Sequence, residues 1–254
     1  MGKTTLLITD VTRMSGEQVC VAALDEAGHS IRPLPEVGGK GLNHLRSDLR
    51  LPDGVLIRPK VLVTAKWRRL TRLHPPHVED VGYEKASISV LGALCQEEFL
   101  DRLKKSCDSS VGKIYGKEIE GGPKAYVSAG IGSRSLGTVR PIAPPTVSIF
   151  ADKGEVQPRL RFETEGDATP WDFRIVDLAL LGYARSRHDN EPLSRIESGL
   201  NRALKQCQAI YLRLGLARPF KPEDADWPKK RCYVMLIGIH TQPDYLQGRC
   251  WADF

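Results

Sequence analysis

The chain's 254 residues, 41% hydrophobic and 27% charged, suit one large β domain or two small ones, and they exclude wholesale disorder and a fibrous repeat. The net charge of +6 favours a polyanionic partner, although only the placement of that charge can identify one. No apolar run approaches the roughly 18 to 20 residues of a membrane-spanning helix, the opening lacks the apolar core of a secretory leader, and the six cysteines stand far apart with no Cys-x-x-Cys pair, so the expectation is a cytoplasmic protein with reduced thiols, no membrane association, no metal centre and no cofactor.

In chain order, apolar bursts at 4–11, 18–24 and 30–33 are separated by Met14-Ser15-Gly16 and Glu26-Ala27-Gly28, which predicts a β-meander with Leu6 and Ile8 on one face and Leu7 on the other. Residues 34–54 read as a glycine- and proline-punctuated loop. A strand follows over 55–67, with Pro59 marking an edge or a bulge. Phe99, Leu100, Leu103 and Cys107 recur at helical spacing behind Glu97 and Glu98, predicting a helix over 97–107.

The glycine-rich stretch 112–132 reads as a connection between a first domain, 1–111, and a second, 133–254. Strands are predicted at 135–139, 146–150, 159–162 and 171–181. An apolar stripe of Leu193, Ile196, Leu200, Ala203, Leu204 and Cys207 predicts a second helix over 192–208 with Pro192 in its first turn. Strands at 210–216 and 232–240 close the chain. The fold class is therefore mainly β with minor α.

The opening LLITDVTRMSGEQVCVAALDEAGHSIRPLP, the stretches SLGTVRP and RLRFETEGDATPWDFRIVDLAL, and above all the closing GIHTQPDYLQGRCWADF resemble the dual OB-containing domain family of uncharacterised bacterial proteins. The resemblance implies two OB-like β-barrels packed together and a role with nucleic acid in bacterial defence. It brings no catalytic residue set. Ser30 stands where the family carries a tryptophan before Ile31-Arg32-Pro33, so no stacking role for that aromatic is carried over.

Between Gly54 and Val78 the sequence has no acidic residue, while Arg58, Lys60, Lys66, Arg68, Arg69 and Arg72 surround Trp67. Cations that track phosphates beside an indole that stacks on a base are what a single-strand binder needs. The same residues equally suit a solvated strand with Trp67 turned into the core. Lys229, Lys230 and Arg231 beside Trp227 form a second basic cluster, in a loop suited to grip an oligonucleotide at a barrel mouth. Lys113, Lys117 and Lys124 are lesser candidates. The tail reads as structural: a turn at Pro243-Asp244, anchors at Tyr245 and Trp251, and His240 bonded to a backbone group.

These patterns lead to a non-catalytic binder of single-stranded DNA or RNA. An adaptor that holds a helicase or nuclease is the alternative. An enzyme acting on nucleic acid or nucleotides would need two or more of His240, Asp244, Tyr245, Asp177 and Asp253 to meet in one pocket.

Overall fold

The computed structural model describes residues 4–116 and 119–254. β-Branched runs separated by short polar turns form the meander β1 (Thr5–Arg13), β2 (Gln18–Leu24) and β3 (Ser30–Val37). It is extended by β4 (Lys40–Gly41), β5 (His44–Leu45), β6 (Val61–Thr64), β7 (Trp67–Arg68), β8 (Asp80–Tyr83) and β9 (Ser89–Ala93). The sheet runs β7-β8-β3-β2-β1-β6-β9, with β4 on β3 and β5 on β2. The pairing of β3 with β8 is parallel, that of β1 with β2 and β6 antiparallel.

Next comes α1 (Gln96–Lys105), whose Glu98 carboxylate accepts from the Cys95 amide at 3.1 Å. It buries Phe99, Leu100 and Leu103 against Leu7, Leu24 and Tyr211, each side chain worth roughly 1.5 to 3 kcal/mol. The remaining elements are β10 (Cys107–Asp108), α2 (Val111–Tyr115), β11 (Ile119–Glu120), β12 (Tyr126–Ser128) and β13 (Leu136–Val139), then β14 (Thr146–Asp152), β15 (Glu155–Phe162) and β16 (Trp171–Arg174). The chain closes with α3 (Leu178–His188), α4 (Leu193–Lys205), β17 (Ala209–Leu216) and β18 (Arg231–Gln242). A second sheet runs β10-β13-β17-β18-β12-β11, and β14-β15-β16 form a third. The protein is mainly β, and its two larger sheets curl as half-barrels.

Two expectations are corrected. The described residues hold α2 and α3 in addition to the two predicted helices. The strand predicted over 171–181 ends at Arg174, because the Asp177 carboxylate accepts from the amides of Ala179 (2.8 Å) and Leu180 (3.3 Å) and starts α3 instead. That helix buries Leu178, Leu180, Leu181, Tyr183 and Ala184 around most of its circumference, which erases the one-sided pattern that would have revealed it. In the glycine-rich stretch 112–132 the short strand β12 pairs with β18, and Ile114 and Val127 are buried in the same core as Leu212 and Leu236.

The two sheets are knitted along a seam. The Arg13 amide donates to Val176 O and the Val176 amide to Leu236 O, both at 2.9 Å, so the segment before α3 is wedged between β1 and β18. The tail crosses back, and the Trp251 indole N–H donates to Ile57 O at 3.0 Å within the first core. Elsewhere on the seam buried Arg32 donates to Asp80 (2.7 Å) and Ser135 (2.9 Å). Burial together with Arg32 pushes the neighbouring His77 down to about 3, so that ring is neutral.

Candidate active site

Leu6, Ile8 and Val11 share the first core, while Leu7 faces α1. Strict alternation would put Asp10 with Leu6 and Ile8. The register between β1 and β2 shifts between Ile8 and Asp10, making Thr9 the extra residue of a β-bulge. The bulge reverses the phase, so Val11 returns to the core and Asp10 turns to the seam. A second bulge, between Arg213 and Leu214, lies where β17 and β18 face Asp10.

Asp10 is 1% exposed and Arg213 0%. Arg213 Nε donates to Asp10 Oδ2 at 3.0 Å, and its Nη1 donates to Thr138 Oγ1 at 2.8 Å. Asp10 Oδ1 lies 3.0 Å from His240 Nε2, and Thr9 Oγ1 donates to Oδ2 at 2.8 Å. Burial by itself would raise the Asp10 pKa, but the Arg213 charge and the His240 hydrogen bond outweigh it and hold the carboxyl below its ordinary value. An ionised carboxylate only accepts, so His240 Nε2 carries the hydrogen of this contact. Phe99 packs edge-on against the imidazole with centroids 4.9 Å apart. Space for the carboxylate is reserved by Gly238, where a Cβ would stand 2.1 Å from Asp10 Oδ1 and 2.8 Å from His240 Nε2.

Asp10 and His240 line a recess of about 60 Å3 together with Asp177, Tyr245, Asp244 and Gln96. Burial pushes the Asp177 carboxyl up to about 6 against the opposing pull of His240 and of the two amides it caps. Burial also raises the Tyr245 phenol well above its usual value. The Tyr245 hydroxyl and Gln96 Oε1 are buried without a hydrogen-bond partner. Gln96 Nε2 is committed to Thr241 O at 2.6 Å, which orients its amide. Asp244 acts locally: its Oδ1 accepts from the Leu246 amide at 3.0 Å, and its Oδ2 lies 3.4 Å from Lys60 Nζ. Arg58, Lys60 and exposed Arg249 stand among the lining residues as cations.

Four of the five residues named as the test of an enzyme, His240, Asp244, Tyr245 and Asp177, therefore meet in one pocket. Asp253 does not, since its carboxylate accepts from the Cys250 amide at 2.6 Å in the final turn. The expectation that a backbone group satisfies His240 is corrected: its partner is a carboxylate 230 positions away. The Trp251 indole anchors the tail through Ile57 O (3.0 Å), and the Tyr245 backbone amide donates to the Thr241 hydroxyl (2.9 Å).

The basic stretch around Trp67 is dispersed. Trp67 is 8% exposed, donates its indole N–H to Thr4 O at 2.7 Å and packs on Tyr83, leaving no ring face for a base. Arg58 and Lys60 line the recess. Lys66 lies 3.4 Å from Glu84, and Arg68 lies 3.6 Å from Glu36 and 3.5 Å from Glu84. Arg69 is exposed, and Arg72 borders a separate groove whose Lys85 and Arg218 pair with Asp48 (2.6 Å) and Asp80 (2.7 Å).

The second basic cluster is more compact. The Arg231 guanidinium lies 3.9 Å from the Trp227 ring centroid and 4.2 Å from that of Tyr126, with Lys229 and Lys230 exposed beside it. Lys113 and Lys124 are exposed, and Lys117 lies outside the described residues. Among the described residues no helix is long and apolar enough to cross a membrane. A scan against protein-family models found no match to the chain, and a search of curated proteins found none either.

Proposed function

We propose that this protein is an enzyme performing acid–base chemistry on a phosphate-bearing substrate, a nucleic acid or nucleotide held at the mouth of the recess. The convergence of the Asp10–His240 pair, Asp177 and Tyr245 in one small recess with Arg58, Lys60 and Arg249 carries the reading. His240 is the base, oriented by Asp10 as carboxylates orient catalytic imidazoles. Asp177, pushed up to about 6, is the acid that holds its proton far longer than a free aspartate. Arg58, Lys60 and Arg249 among its lining residues attract phosphate. The curled sheets fit OB-type half-barrels, which present oligonucleotide contacts on their loops, and the working place is the cytoplasm.

Arg231 between Trp227 and Tyr126 favours a second reading, a strand-binding surface without chemistry. Incubation of labelled single-stranded DNA, RNA and nucleotides with the protein and with His240→Gln, from about pH 5 to about pH 8, separates the two. Turnover should fall about tenfold per pH unit above about 6, where Asp177 loses its proton, and His240→Gln should lower it by about 10² to 10⁴ while salt-sensitive binding persists. Folded wild-type protein that binds but leaves every substrate intact across this range refutes the enzymatic reading and leaves the second.

A further inference from the structure

The loop between β17 and β18 is closed at its base, where the Arg231 amide donates to Phe220 O (2.8 Å) and the Phe220 amide to Arg231 O (3.0 Å). The Lys221 ammonium donates to Trp227 O at 2.6 Å and braces the turn that carries the indole. The Arg231 guanidinium lies 3.9 Å from the Trp227 centroid and 4.2 Å from that of Tyr126, and Tyr233 meets both rings edge-on. A guanidinium packed on rings is open along its rim, where its N–H groups point, and Arg231 is half-buried, so a solute reaches it. Among the described residues no acceptor meets those N–H groups. The Glu120 carboxylate accepts from the Tyr126 hydroxyl at 3.1 Å and forms no ion pair with Arg231, and neither do Glu223, Asp224 and Asp226 of the same loop. Lys229 and Lys230 stand exposed beside it.

We propose that Arg231 anchors an oxyanion site that grips the phosphates of a single-stranded nucleic acid and not its bases. The inference rests on the strand-binding reading and names the group that is read. A base stacks on an aromatic face that is free, whereas the faces of Trp227 and Tyr126 that meet in this cluster are filled by the guanidinium. What the rings supply is orientation: they hold the planar fork of Arg231 in place, so little side-chain freedom remains to be lost when two oxygens of one phosphate dock on it. Lys229 and Lys230 add charge along the same extended run. A nucleic-acid strand meets consecutive cations with a charge on every unit, whatever its sequence. A peptide does so only where acids run together, which favours the nucleic acid. Arg231 opens β18 and His240 stands near its far end, roughly 30 Å away at about 3.3 Å per residue, so the site is separate from the recess.

The test measures binding of the full chain to labelled oligothymidylate, oligouridylate, an abasic strand with the same number of phosphates, and polyglutamate of matched charge. The three phosphate-bearing strands should bind alike and polyglutamate more weakly. Arg231→Lys, which keeps the charge and loses the planar fork, should weaken all three strands on the order of tenfold. Lys229→Gln should lower the log–log salt slope by about 0.7 on each of them. Trp227→Leu should weaken the abasic strand as much as the others, because the ring serves the guanidinium and not a base. Circular dichroism confirms that each variant is folded. An abasic strand that loses most of the affinity, or a Trp227→Leu effect confined to strands with bases, would overturn the inference while leaving the strand-binding reading in place. Polyglutamate bound as tightly as the strands, or Arg231→Lys binding like the wild type, would overturn it too. Absence of binding to every strand overturns both, and the acid–base reading, which is judged by turnover, stands apart from all of these.

Discussion

Replacing Asp177 by asparagine separates two contributions that the side chain makes to the fold. The amide oxygen of asparagine still accepts from Ala179 and Leu180 and still starts α3, as asparagine does at other helix starts. What disappears is the buried negative charge. The folded carboxyl titrates at about 6 against an ordinary 3.8, so the folded protein binds the proton more tightly than the unfolded chain does. This favourable term is complete below 3.8 and is lost as pH rises through about 6. At roughly 1.4 kcal/mol per pH unit, keeping Asp177 ionised at neutral pH costs the wild-type fold about 3 kcal/mol. Asp177→Asn should therefore match the wild type near pH 4 and exceed it near pH 8 by about 3 kcal/mol, a rise of roughly 6 to 12 °C in Tm for a chain of this size. Circular-dichroism melts at half-unit steps of pH check the curve. A difference that is flat in pH, or a variant less stable than wild type near pH 8, refutes the reasoning. The stabilised variant should also lose turnover, because the group that strains the fold is the proposed acid.

Two further outcomes concern partners that the fold has buried. Asp10→Ala should destabilise the protein by about 3 to 5 kcal/mol in urea unfolding by leaving Arg213 buried without its carboxylate, whereas the double change Asp10→Leu with Arg213→Met should recover most of that loss. Recovery of none of it would mean that the pair is not the unit. Trp67→Ala should lower stability by about 3 to 5 kcal/mol while the oligonucleotide affinity of the folded fraction stays at the wild-type value. An affinity drop without a stability loss would return Trp67 to the surface role its sequence suggested.

Much of the fold was legible wherever a local pattern decided the structure. The faces assigned to Leu6, Ile8 and Leu7 and the stripe of α4 follow from periodicity alone, and both were read correctly. The geometry of the candidate site was not legible because three of its determinants are non-local. A bulge at Thr9 changes the strand's phase, and the only local trace is a charged residue falling in step with Leu6 and Ile8. His240 and Arg213 acquire meaning only from Asp10, which no spacing rule connects to them. The basic run around Trp67 left two readings open, a strand-binding face and a solvated strand with Trp67 in the core, and its local pattern suits both. Its window contains no acid, yet Glu84 shortly after it and Glu36 well before it, in β3, come alongside Lys66 and Arg68.

A recess gathered from β1, α1, the start of α3 and β18 also has a history during synthesis. At about 5 to 20 residues per second, the 230 positions between Asp10 and His240 take a ribosome roughly 10 to 50 s to traverse. Through that interval the nascent chain carries Asp10 without its imidazole, and a chain interrupted anywhere before β18 never acquires the base. The Asp10–His240 pair on which the proposed acid–base chemistry rests is therefore assembled only once β18 has been made.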